Sequence, residues 1–206
     1  MKIIGILVFL ASSIISASQY SGKARSFIGI ESGVSISYGK IKDANSIQQY
    51  KQYRLNYGFI GGMQYFPNRY FGGRLYASAN FIHSVGEHTI IFGGNLDGIV
   101  NFVSVDNGSF GIFAGIFLGA DTYFGSGVND AKTLLYQYGL DMKSMVFDAA
   151  INVGLRGVIS DKFILEIATR VPLVESNLID TSAYNANSVA FSIKHYTINA
   201  RFSYLF

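Results

Sequence analysis

The chain has 206 residues, of which 50% are hydrophobic and only 14% charged. A net charge of +3 is too small to point to nucleic acid. With no cysteine there is no disulfide framework and no lipid-anchored N-terminal cysteine, so stability must come from a core or a closed sheet.

In chain order, export comes first. Met1 and Lys2 make a short positive start, Ile3 to Ile15 is almost wholly apolar, and Ser16, Ala17 and Ser18 are small. That succession is the pattern of a cleavable signal peptide. The apolar run is shorter than the ~20 residues a membrane helix needs. Residues 1–18 are therefore expected to be a signal peptide and residues 19–206 a single domain.

Beyond residue 18 no stretch reaches the length of a membrane helix, although the chain is rich in Gly (23), Phe (17) and Tyr (14). Its hydrophobic period is two, not 3.6, which is the period of strands. Eight strands are expected, at about Ser26–Tyr38, Tyr53–Phe66, Tyr70–His83, Thr89–Val105, Ser109–Phe124, Met145–Ile159, Lys162–Val174 and Ala190–Phe206. Each is long enough to cross a bilayer as a tilted strand of ~9–11 residues.

The connections sort by length. Pro67-Asn68-Arg69, Asp106-Asn107-Gly108 and Ser160-Asp161 are tight, built from turn residues. Gly39–Gln52, Gly125–Ser144 and Glu175–Ser188 are long and polar, and Ser84–His88 is intermediate. With both termini on one side, all the tight turns fall on that side and all the longer loops on the other. Outer-membrane barrels show this asymmetry, with short periplasmic turns and long outer loops.

Alternation assigns the two faces. In the last segment Tyr196, Ile198, Ala200, Phe202, Tyr204 and Phe206 share one face, and His195, Thr197, Asn199, Arg201 and Ser203 the other. A soluble apolar core would bury Arg201 at a cost of several kcal/mol unless it were paired. A polar lumen, with the apolar face toward lipid, removes the conflict. Segment six repeats the pattern: Phe147, Ala149, Ile151, Val153, Leu155 and Ile159 face lipid, and Asp148, Asn152 and Arg156 face inward. In segment two Tyr53, Leu55, Tyr57, Phe59, Met63 and Tyr65 oppose Arg54, Asn56 and Gln64. Segment five is ambiguous, because Phe113 and Phe117 fall on its inward face. Aromatic residues gather at strand ends, at Tyr53, Tyr65, Phe66, Tyr70, Phe71, Tyr123, Phe124, Tyr204 and Phe206, as interfacial girdles do.

The inward charges are Glu31, Asp97, Asp148 and Glu166, with Asp121 on the same reading, against Arg54, Arg74, Arg156, Arg170 and Arg201. The signs nearly balance, and an eight-stranded barrel is just wide enough for side chains to fill it. A packed, salt-bridged lumen follows; the alternative is a narrow channel, which would more naturally show an excess of one sign. His83 and His88 flank a loop with Glu87, a set that could bind a transition metal but reads more simply as solvated loop residues. His195 and Thr197 share a strand face, as the His and hydroxyl of a barrel lipid-modifying enzyme would. Gly61-Gly62 and Gly93-Gly94 lack the Lys-Ser/Thr of a phosphate loop. No cofactor is expected, and the reading is of a protein that is not an enzyme.

The last third carries Asn152-Val153-Gly154-Leu155-Arg156, Glu166, Val171-Pro172-Leu173 and the aromatic end Tyr196 to Phe206. On these residues it resembles the Helicobacter outer membrane protein family. Phe206 resembles the terminal aromatic residue by which the barrel-assembly machinery recognises substrates. The resemblance implies an all-β fold, an eight-stranded antiparallel up-and-down transmembrane barrel, set among outer-membrane lipid and lipopolysaccharide. Larger members carry a long extracellular domain and some are adhesins; the loops here leave no room for such a domain.

Overall fold

The computed structural model describes residues 22, 24–42, 46–137, 141–180 and 190–206. The expected signal peptide, residues 1–18, lies outside them. Among the described residues the order is β1 (Ala24–Lys42), β2 (Ile47–Tyr65), β3 (Phe71–His83), β4 (His88–Val105), β5 (Gly108–Phe124), α1 (Ser126–Gln137), β6 (Met145–Ile159), β7 (Phe163–Pro172), β8 (Ser176–Asp180) and β9 (Ala190–Leu205). No helix among them is long and apolar enough to cross a membrane.

Every neighbouring pair is antiparallel, and β1 pairs with β9 from Phe27↔Leu205 to Lys42↔Ala190. That pairing closes the sheet into a barrel, and closure is the condition for a sheet to cross hydrocarbon. β7 pairs with the inner part of β9, Tyr204 to Thr197, and β8 with its outer part, Ile193 to Ala190. β8 is thus the continuation of the seventh strand beyond a break at 173–175, and the barrel is eight-stranded, as expected.

Alternation is preserved around the ring. Ile28, Ile30, Val34, Tyr53, Leu55, Phe59, Leu75, Leu96, Ile116, Leu155, Ile167 and Phe202 are exposed large apolar side chains, whereas the residues between them point inward and are buried. Between Tyr38 and the inner rim, the outward positions of the described strands include no Asp, Glu, Lys or Arg. From Ile28 to Tyr38 the outward face of β1 runs about 34 Å at ~3.4 Å per residue, or about 26 Å of height for a strand tilt of ~40°, the apolar band of an outer-membrane barrel.

Ser160-Asp161 forms a two-residue turn with both φ angles positive (52° and 56°), closed by Lys162 N–H donating to Ile159 O at 3.2 Å. These are the backbone angles of the tightest hairpins. A β-bulge between Asn101 and Val103 puts Phe102 and Val103 both outward, but it lies at the inner end of β4 and leaves the alternation through Asp97 intact.

Several expectations are corrected. The stretch 39–52 is mostly not loop: β1 and β2 stay paired up to Lys42↔Ile47 and rise beyond the barrel. The loop expected at 125–144 contains α1, and that expected at 175–188 contains β8, because Leu178 and Ile179 find a buried apolar cluster at the outer mouth; residues 181–189 lie outside the described set. Tyr70 and Lys162 fall just outside their strands. Phe66 and Tyr123 are buried, not girdle residues: Phe66 packs with Ile99, Phe113 and Ala168, and Tyr123 with the outer cluster. Ala149 keeps its outward parity but is buried, a small side chain beside the taller Leu118, its partner on β5, and Leu173, whose N–H donates to Ala149 O.

Candidate functional site: the charged lumen and its outer cap

Each lumenal charge reaches its place by strand parity. Glu31 on β1 lies directly opposite Arg201 on β9, Arg201 opposite Glu166 on β7, and Glu166 opposite Arg156 on β6. Arg74 on β3 lies opposite Asp97 on β4. Directly opposed residues share a face, so the ladder itself brings opposite charges together.

Glu31, Arg54, Arg74, Asp97, Asp148, Arg156, Glu166, Arg170 and Arg201 are all inward and buried. Six of them form one network. Arg74 Nε donates to Asp97 Oδ2 at 2.8 Å and its Nη1 to Glu166 Oε1 at 2.5 Å. Arg156 Nε lies 3.5 Å from Glu166 Oε1, and Arg201 Nη1 lies 3.9 Å from Glu166 Oε2. Arg201 Nε donates to Glu31 Oε2 at 2.6 Å. Three guanidinium groups thus meet three carboxylates, and the network is neutral. Toward the outer end Arg170 pairs with Asp148. At the rim Arg54 pairs with Glu87 at 3.0 Å and with Gln52. Asp121 is buried and accepts from Ser176 Oγ at 3.2 Å and from Tyr123 OH at 3.4 Å.

Partners that pairwise charge reading missed complete the site. Tyr76 OH accepts from Arg201 at 3.2 Å, and Gln64 Oε1 from Arg156 at 2.6 Å. Asn80 and Asn199 donate to Glu31, and Asn152 donates to Asn95 at 2.8 Å. All six lie on inward parities of their strands, and that period was the available signal.

The ambiguous strand is settled by glycine. Phe113 and Phe117 point inward and are buried. A Cβ at Gly154 on β6 would come within 2.6 Å of the Phe113 ring, and one at Gly119, two residues along β5 itself, would also strike Phe117, so each ring lies over a position that carries no side chain. In return the rings cover guanidinium groups: Arg74 lies 4.4 Å from the centre of Phe113 and Arg170 3.5 Å from that of Phe117.

The lumen is therefore layered. An inner apolar cluster (Phe27, Ile60, Tyr76, Val158, Ile164, Leu205) is followed by the six-charge network, by Ile82, Ile91, Phe117 and Ala150, and by the Arg170–Asp148 pair. Above these sits a cap of Tyr123, Val128, Val146, Leu178, Ile179 and Ile193, to which α1 contributes Val128 and β8 contributes Leu178 and Ile179. Some lumenal groups, among them Ser35 Oγ, Thr89 Oγ1 and the side-chain amide of Asn56, have no protein partner.

His195 and Thr197 are inward and buried. His195 is held between Ser37 Oγ at 2.8 Å and Tyr123 OH at 3.1 Å, which fixes its ring beneath the cap. His83 and His88 stack on each other at 4.8 Å, on the outward side of the β3–β4 hairpin, while Glu87 turns to Arg54. Among the described residues no group of three or more His, Cys, Asp or Glu is placed to hold a metal ion. Phe206 is outward, its ring edge-on to Tyr204 at 5.1 Å, and its N–H donates to Ser26 O.

A family model described as "Helicobacter outer membrane protein" matches residues 19–206. No curated protein matches the chain at a significant level. Among solved structures, the outer membrane protein OprG of Pseudomonas aeruginosa is 17% identical, with 89% of this chain and 97% of that chain aligned and a TM-score of 0.46. Neisserial surface protein A is 8% identical, with 89% and 99% aligned and a TM-score of 0.48. Ail, the attachment invasion locus protein of Yersinia pestis, is 14% identical, with 86% and 98% aligned and a TM-score of 0.36.

Proposed function

The chain belongs to the Helicobacter outer membrane protein family, and from that premise we propose that it serves as a closed structural barrel that presents its outer loops and rim for contacts at the cell surface. It is an integral β-barrel protein of the bacterial outer membrane, set in lipid and lipopolysaccharide. The observation that carries the closed-lumen reading is the neutral network of Glu31, Arg74, Asp97, Arg156, Glu166 and Arg201, sandwiched between apolar layers and covered by the outer cap. A conducting path would need a polar route past those layers and a field of one sign at its constriction.

The same geometry speaks against catalysis. His195 and Thr197 face the lumen beneath the cap, away from lipid acyl chains, and Ser37 and Tyr123 already occupy both ring nitrogens of His195. We assign residues 1–18 to a signal peptide and Phe206 to recognition by the barrel-assembly machinery; its outward, exposed ring at the closing strand supports the second assignment. Planar-bilayer recording tests the closed lumen. The purified protein should insert without steady single-channel steps. Reproducible ohmic steps that vanish when the Arg74 and Arg201 charges are altered would overturn the reading in favour of a channel.

A further inference from the structure

The outward face of the barrel becomes charged at its outer rim, and on one side of it. Tyr38 on β1 lies directly opposite Lys51 on β2 and Lys194 on β9, so all three side chains share the outward face. Two residues further out on β1, Lys40 has the same parity, opposite Gln49 and Ser192. Two residues further in, Ile36 lies between Tyr53 and Tyr196. The lysines therefore stand immediately above an aromatic tier, at the height where an apolar band gives way to headgroups.

The tier is organised. Lys51 Nζ lies 4.9 Å from the centre of the Tyr53 ring and 5.4 Å from that of Tyr38, and Tyr38 meets Tyr196 edge-on at 5.4 Å. Glu175 takes part too, its Oε1 3.3 Å from Lys194 Nζ, so the patch holds three lysines against one carboxylate. At the rim positions of β3 to β6 the outward residues are His83, His88, Phe124 and Met145 instead. Lys51 and Lys194 are two strand spacings apart, about 9.5 Å, a span that two phosphates on one disaccharide can bridge with flexible lysine side chains.

We propose that Lys40, Lys51 and Lys194, standing on the Tyr38–Tyr53–Tyr196 tier, bind the phosphorylated disaccharide headgroup of lipid A in the outer leaflet. The lysines neutralise its phosphates and the tyrosines pack against its sugar rings and the first methylenes of its acyl chains. Each lysine near an anionic surface is worth roughly fivefold in affinity, and Glu175 offsets part of that.

The proposal rests on the barrel standing in the outer membrane with this rim outward. The full-length protein in micelles, and a K40Q/K51Q/K194Q variant that still shows a heat-dependent gel shift, are titrated with lipid A and followed by native mass spectrometry. Lipid A binding should be at least about tenfold weaker in the variant, and the wild type should bind dephosphorylated lipid A as weakly as the variant binds lipid A. Equal binding of lipid A by both proteins would overturn the proposal. So would wild-type affinity for phosphatidylglycerol equal to that for lipid A, or a preference for a sulfated polysaccharide. If the triple variant fails to fold, K51Q carries the test, since Lys51 is exposed and its replacement removes only its contacts with the Tyr38 and Tyr53 rings; an unchanged affinity there refutes the patch. Absence of a heat-dependent shift in the wild type would remove the barrel reading itself, a result distinct from lost binding with the shift intact.

Discussion

Glu166→Gln isolates the charge balance of the lumen. The substitution keeps the shape of the side chain and removes one negative charge from a site where Arg74, Arg156 and Arg201 approach within 2.5, 3.5 and 3.9 Å. Removing one member of a buried ion pair costs about 3–5 kcal/mol, because the remaining charge stays buried. The lower end applies here. Arg74 retains Asp97 at 2.8 Å, Arg201 retains Glu31 at 2.6 Å, and Arg156 retains Gln64 at 2.6 Å, so the loss amounts to one excess positive charge shared over three hydrogen-bonded groups. The expected loss is about 3 kcal/mol. Arg156→Met in the same background restores neutrality and should recover a large part of it, as coupled neighbours do. The chain has no Trp, so urea unfolding in micelles is followed by far-UV circular dichroism and by the heat-dependent gel shift. A loss below about 1 kcal/mol would be the value of an exposed pair. It would mean that water screens the network, and the argument for a packed, closed lumen would fail.

Ala200 sits near the middle of the outward face of β9, between Tyr196 and Tyr204, and Ala200→Arg should cost about 2–4 kcal/mol in the same assay; a neutral effect would place that face in water. Gly154→Ala puts a methyl 2.3 Å from Ile167 O and 2.6 Å from the buried Phe113 ring and should destabilise by about 1–3 kcal/mol, with Phe113→Leu restoring the part due to the ring; if Phe113→Leu restores nothing, Phe113 does not pack over Gly154. Ser160→Gly should raise stability by about 0.5–1 kcal/mol, since glycine adopts the positive φ of this turn without strain; a lower urea midpoint would contradict the turn geometry. A cysteine at 202 should react with a lipid-soluble maleimide and one at 201 should not; the reverse pattern would shift the register of β9 by one residue.

The fold was legible because a barrel strand is a local code. Alternation from Tyr196 to Phe206 puts Arg201 on one face and Phe202 on the other whatever the rest of the chain does, and the short turns at Pro67, Asn107 and Asp161 mark one end of the barrel without reference to the loops. Among the described residues, the buried charges lie at positions of that same inward period. What alternation could not supply is which of them meet. Glu166 gathers three arginines from β3, β6 and β9 only because closure brings those strands around one lumen, and that is set by register and shear between strands distant in sequence.

The outer end shows the same division. Residues 126–137 and 176–180 are polar and glycine- or proline-flanked enough to read as loop, yet they form α1 and β8, because Val128, Leu178 and Ile179 are buried together with Tyr123 and Ile193 over the mouth. Phe66 and Tyr123 read as girdle residues for their position near strand ends, and it is their inward parity, set by the pairing of the closed sheet, that makes them inner and outer plugs. Alternation and turn residues depend on neighbours within a few residues, so the eight barrel strands, the faces of all but β5, the sidedness of the connections and a balanced inward charge set could be read along the chain. The ion-pair partners, the inward packing of Phe113 against Gly154, and the lysine rim around Tyr38 came from the closed fold alone, since each of these joins strands that meet only when the sheet closes on itself.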